Sequence, residues 1–222
     1  DEARRLLERT KRSMWRQSPE RSLLWTAAER AANLLETAKQ IEVEQPWDYD
    51  RLTRLVGAYA DRTISDLDRN QRLFEQSIAT YITDGEISPL IDLCRRRYYE
   101  TALKIQNAFL NLIRKEGWPP EGVLRQTRIF DEYVSPNLER REKTAYIMVD
   151  SLRYEMGRDL GDTLGRLGDV EIRHAAAVMP TITETGMAAL LPRADGAFHL
   201  IEKDGVAAPA LGETVLKNSA DR

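Results

Sequence analysis

Two apolar runs that each stop at a polar side chain and turn into a helix constrain this chain more than anything else in it. Ala145-Tyr146-Ile147-Met148-Val149 shows no polar alternation, as expected of a strand covered on both faces in a parallel sheet, and ends at Asp150. Leu152, Met156, Leu160, Leu164 and Leu167 then recur at helical spacing, with Gly168 where a helix would stop. Val170 to Val178 reads as the next strand and runs into Pro180 and the threonines at 181, 183 and 185, before a second helix. The result is a βαβ unit with a crossover helix. In such sheets ligands bind beyond the carboxyl ends of the strands. Adjacent strands lie about 5 Å apart, so Asp150 and the threonine cluster are expected to reach one bound ion.

The hydroxyls are not equivalent. Thr181-Ile182-Thr183-Glu184 fits a capping box, in which Thr181 accepts from a first-turn amide and Glu184 reaches back. That leaves Thr183 inside the first turn, facing the site with the positive end of the helix dipole. Thr183 is therefore the candidate nucleophile and Thr181 the candidate cap. Asp150 has two readings, a metal ligand or the N-cap of the helix after it. Arg153 either approaches a phosphate or pairs with a carboxylate such as Glu155.

The pair VDSLRYEMG and PTITETGMAALLP resembles the start of the PglZ domain, a branch of the alkaline phosphatase superfamily known from BREX-type phage-exclusion systems. The resemblance covers about the last 85 residues. It implies that Asp150 binds one of two metal ions and that Thr183 is the metal-bound nucleophile. It implies two zinc ions, with magnesium or manganese as substitutes that oxygen ligands accept. It further implies a phosphoesterase or phosphodiesterase acting on nucleotides or nucleic acid in phage defence, partnered by other BREX components in the cytoplasm. Two alternatives come with it: a scaffold that keeps the fold without the chemistry, and an output domain of a signalling regulator.

A two-metal site of that type also uses a later Asp-His pair and a further histidine. This sequence has only His174 and His199, expected inside a strand and in a hairpin, and both read as structural or solvated. The chain opens on Asp1-Glu2-Ala3-Arg4-Arg5 within a helical, charged pattern and ends on Asn218-Ser219-Ala220-Asp221-Arg222. The expectation is a piece of a longer polypeptide that lacks part of its site and is inactive alone.

Residues 1–138 read as a separate helical bundle and 139–222 as the truncated α/β domain, giving an α plus α/β chain. Leu23, Leu24, Ala27, Ala28, Ala31, Leu34, Leu35, Ala38 and Ile41 form one helical stripe, closed by Gln45-Pro46-Trp47-Asp48. Tyr49 to Ile82 reads as one long second helix. A third starts at Ser88-Pro89 and ends at Gly117. Arg95-Arg96-Arg97 beside Tyr98-Tyr99 suggests a nucleic-acid contact, against which stands the simpler reading of a solvated helical face. Trp15, Trp25, Trp47 and Trp118 read as packing residues and helix-end anchors. Trp118-Pro119-Pro120-Glu121-Gly122 is a stiff linker, followed by a short helix within Val123 to Tyr133. Phe198-His199-Leu200-Ile201 and Val206-Ala207-Ala208 read as a hairpin. A net charge of -3 gives no global attraction to nucleic acid or acidic lipid, and no segment has the apolar run of a membrane span. Cys94, the one cysteine, excludes an internal disulfide, fits a reducing compartment and reads as a small core residue.

Overall fold

The computed structural model of the chain describes residues 5–8, 19–79, 87–203 and 205–216. Expectations that fall on Asp1 to Arg4, Trp15, Ile82 and the stretch from Asn218 lie outside them. The chain divides into two compact units, Asp1–Glu116 and Gly117–Arg222. The sequence places that division near residue 138. The difference arises because Trp118 and Gln126 bond to Ala177 and Val178, which ties the expected linker into the second unit.

The first unit is helical, as expected. Helix α1 (Pro19–Glu44) is followed by a 3-10 turn (Pro46–Asp48), α2 (Leu52–Ala60), α3 (Ser65–Ala79) and α4 (Ser88–Glu116). Left-handed Gln45 ends α1 before Pro46, and Gly117, also at positive φ, follows α4. The core sits where α1 packs on α3 and α4. Ala31, Leu34, Ala38 and Ile41 meet Leu67, Phe74 and Cys94 there. Burial pushes the Cys94 thiol up to about 11, with Glu75 adding to the shift.

The single helix expected from Tyr49 is instead two. Left-handed Arg62 breaks it, and the Asp61 and Ile64 amides close the turn on the carbonyls of Gly57 and Ala58. In an unbroken helix Ile64 would lie half a turn out of phase with Leu55. The break lets both be buried.

The basic run on α4 is taken up locally. Arg95 makes a two-pronged pair with Glu75, Arg97 meets Glu100, and the Tyr98 hydroxyl donates to Asp68. The solvated-face reading accounts for these three.

The second unit departs further from expectation. Residues 145–149 and 170–175 belong to no strand, and the one pairing made by the 170–178 segment is a parallel bridge from Ala176 to Arg125. The expected βαβ ladder is therefore not formed among the described residues. Beyond the linker come a 3-10 turn (Gln126–Arg128), a π-helical turn (Phe130–Val134) and α5 (Ser135–Glu139). Helix α6 (Tyr154–Leu164) buries Glu155, Arg158 and Gly161, while Leu160 and Leu164 of the expected core stripe stay exposed. With no parallel sheet beneath it among the described residues, that stripe is only partly covered. At Gly161 a Cβ would stand 2.5 Å from the Ile172 side chain, so α6 makes its close approach to the 170–178 segment there.

Helix α7 (Thr183–Ala189) rests on the Gln126–Arg128 turn and on strand β2. The hairpin appears where the sequence places it: β1 (Phe198–Lys203) pairs antiparallel with β2 (Val206–Leu211), and β3 (Thr214–Val215) extends the sheet. The unit's sheet is thus small, three-stranded and antiparallel rather than parallel.

Candidate metal-binding and phosphoryl site

Asp150 follows the apolar run 145–149 and precedes Ser151, whose φ of 57° lies in the left-handed region. A non-glycine residue there is strained by about 1 kcal/mol or more, and such strain collects at functional sites. The turn throws the chain sideways before α6 begins. The N-cap position of α6 is Arg153, without a side-chain capping bond. Asp150 therefore does not cap the helix that follows it.

Its carboxylate instead faces Thr183. The Thr183 Oγ1 hydroxyl lies 3.3 Å from one Asp150 oxygen and 3.2 Å from the other. The two residues singled out from the sequence are thus brought together, although no ladder joins the segments that carry them.

The expected capping box is absent. Ile182, not Thr181, is the N-cap of α7, and no side chain caps it. The Ile182 amide donates to the Pro180 carbonyl in a tight turn centred on Thr181, which leaves Thr181 one residue ahead of the N-cap. Thr183 is the first helical residue, consistent with its expected place in the first turn.

Asp150 and Thr183 open into a cleft of about 460 Å³ whose wall includes Ser151, Thr181, Glu184 and Gln126. Among the described residues no lysine or arginine lines it. A cleft with two carboxylates repels a phosphate unless a cation neutralises it first. Arg153 is exposed and not among the lining residues, so the structure does not bring it to the cleft. His174 and His199 do not line it either, and the His199 ring contacts the Ala197 carbonyl at 3.1 Å.

The oxygens fit a divalent cation. A hydroxyl donating to a carboxylate settles at about 2.5–2.7 Å, so the observed spacing is long for a direct charge-assisted bond. Two oxygens bound to one tetrahedral cation at about 2.0 Å sit about 3.3 Å apart. Asp150 and Thr183 supply only part of a coordination shell. Among the described residues no group of three or more His, Cys, Asp or Glu is placed to hold a metal.

Sequence reasoning missed two further contributors. The Gln126 side chain bonds to Val178 and Gly186, and the Tyr146 hydroxyl donates to the Leu190 carbonyl at 3.1 Å. Burial raises the Tyr146 phenol above its ordinary value. Both partners lie 44 to 60 residues away in sequence, and no local pattern signals such bonds.

Residues 129–208 match a family model of the alkaline phosphatase-like class. The family model that matches them is the BREX system PglZ alkaline phosphatase-like domain, which bears out the resemblance carried by VDSLRYEMG and PTITETGMAALLP. The chain is 31% identical over 116 residues to the alkaline phosphatase-like protein BrxZ of Escherichia coli O9:H4 (strain HS), covering 47% of this chain and 13% of that protein. It is 33% identical over 81 residues to the alkaline phosphatase-like protein PglZ of Bacillus cereus (strain H3081.97), covering 36% of this chain and 10% of that one. The chain thus spans about a tenth to an eighth of the length of these curated relatives. No solved structure matches it. Among the described residues no helix is long and apolar enough to cross a membrane.

Proposed function

We propose that Asp150 and Thr183 form part of the metal-dependent phosphoesterase centre of a PglZ-type protein, a phosphodiesterase acting on nucleotides or nucleic acid in BREX-like phage defence with other components of that system. The observation that carries this reading is the placing of the Thr183 hydroxyl about equally far from both Asp150 oxygens. Asp150 and Thr183 would hold one divalent ion, and residues outside this pair would complete its shell and hold a second. Zinc is the favoured ion, and magnesium or manganese suits the same oxygen donors. When bound, such an ion lowers the cost of deprotonating the hydroxyl and neutralises phosphoryl charge.

The chain's own residues then have distinct tasks. Asp150 anchors negative charge at the rim and holds the Thr183 side chain to one orientation. Thr183 Oγ1 loses its proton to solvent and forms a bond to phosphorus, while the bond from phosphorus to the leaving oxygen breaks and that oxygen takes up a proton from water. Water then attacks the phosphothreonine, restoring the hydroxyl and releasing the phosphate monoester. Arg153 has no part in this sequence of steps.

The test is hydrolysis of bis(p-nitrophenyl) phosphate by the full-length protein supplied with zinc or manganese. Thr183→Ala is expected to lower kcat by about a hundredfold or more, with the melting temperature within a few degrees of wild type, because an exposed first-turn threonine packs little. Unchanged activity in that variant would remove Thr183 from the chemistry, and no hydrolysis by either protein would leave the scaffold reading in its place.

A further inference from the structure

We propose that Gln126, which lies before the residues matched by the family model, is a positioning residue for Thr183; the proposal rests on the metal-centre reading above. Its side-chain amide makes two bonds at once. The oxygen accepts the Val178 N–H at 3.0 Å, and the nitrogen donates to the Gly186 carbonyl at 3.0 Å. Because a backbone amide only donates and a carbonyl only accepts, these partners fix which way round the group sits.

The two anchor points flank the catalytic threonine. Val178 lies five residues before Thr183 and Gly186 three after it, so one rigid planar group clamps both ends of the Pro180-Thr181-Ile182 turn. Gln126 is itself held in place. Its backbone N–H donates to the Ala176 carbonyl at 3.0 Å, and the Ala176 N–H donates to the Leu124 carbonyl at 2.7 Å. Trp118 adds a bond from its indole N–H to the Ala177 carbonyl at 2.7 Å.

The clamp matters because α7 has only seven residues. A helix that short does not hold itself together in water, so its setting comes from tertiary contacts. A side-chain amide offers a donor and an acceptor on one planar group that stays uncharged at every pH, and asparagine is a methylene too short to span the same gap. Gln126 reaches the cleft wall with its amide already held at both ends by the backbone on either side of Thr183, which is the geometry of a positioning residue.

The experiment compares the full-length protein with its Gln126→Glu, Gln126→Leu and Asp150→Ala variants. Manganese affinity is followed by loss of the free-ion electron paramagnetic resonance signal across pH 4.5 to 7.5, and backbone order by amide hydrogen exchange of the 176–190 segment. A glutamate at 126 still accepts from Val178 but faces the Gly186 carbonyl with a carboxylate until it is protonated. Q126E is therefore expected to match wild type at the acid end and to fall about fivefold to tenfold behind it at neutral pH. Q126L is expected to lag at every pH and to exchange its 178–190 amides faster.

If D150A abolishes binding while Q126E and Q126L bind as wild type at all pH values, the positioning role is overturned and the metal reading stands. If wild type binds no better than D150A, the metal reading fails and exchange decides alone. Faster exchange of the 178–190 amides in Q126L would then uphold the clamp, and unaltered exchange would refute it.

Discussion

The helical unit buries mostly large apolar side chains and the second unit, Val134 and Leu216 apart, mostly small ones. Leu34, Ile41, Leu52 and Phe74 are fully enclosed in the first, whereas the second encloses Ala188, Ala189, Ala194 and Ala210 and leaves Ile147, Val149 and Leu167 in solvent. Burial of a leucine or isoleucine side chain contributes about 1.5–3 kcal/mol, and alanine far less. The helical unit is therefore held by its core. The unit that carries Asp150 and Thr183 relies more on specific polar bonds from Trp118, Gln126 and Tyr146.

One residue type tests that contrast in both places. Ile41→Ala, at a position with no exposure, should cost about 2–5 kcal/mol in chemical denaturation followed by circular dichroism. Ile147 is 78% exposed, and its alanine variant should lie within about 0.5 kcal/mol of wild type. Equal losses would erase the contrast.

Between those extremes lies Tyr146→Phe, which removes the bond to the Leu190 carbonyl and leaves the ring against Phe130. About 1 kcal/mol of stability should go with it, read by hydrogen exchange at the end of α7. No change would mean that α7 is held without its C-terminal tether.

A smaller effect is expected on the surface of the helical unit. The Arg95 guanidinium, through its hydrogen bond, holds the Glu75 carboxyl below its usual value. A depressed carboxyl stabilises the fold above its unfolded pKa and loses that contribution as pH falls through the folded one. Arg95→Ala should therefore cost no more than about 1 kcal/mol at pH 7, for a pair this exposed. The difference should shrink in acid and in high salt. A cost that persists at low pH would point to packing of the arginine stem instead.

The helical unit was legible in the sequence because its periodicity is local. The stripe from Leu24 to Ile41 and the Ser88-Pro89 start both appear where spacing puts them, and only the break at Arg62 escaped, since it depends on a core that Ile64 has to reach. The second unit was legible at two residues and one hairpin. Asp150 and Thr183 meet as expected, yet the parallel ladder that was meant to bring them together is absent. Strand-like runs such as 145–149 specify a strand only with a partner alongside, and neither partner choice nor the bonds of Gln126 and Tyr146 leaves a mark in the neighbouring residues.

Ser151 deserves a last consequence. Its positive φ means that the carboxylate of Asp150 is aimed by the backbone as much as by its own rotamer. In a library randomised at that codon and sorted for folded protein, glycine, asparagine and aspartate should be enriched, while valine, isoleucine and threonine should vanish. The permitted alphabet at a residue with no chemistry of its own would then be set by the aspartate before it.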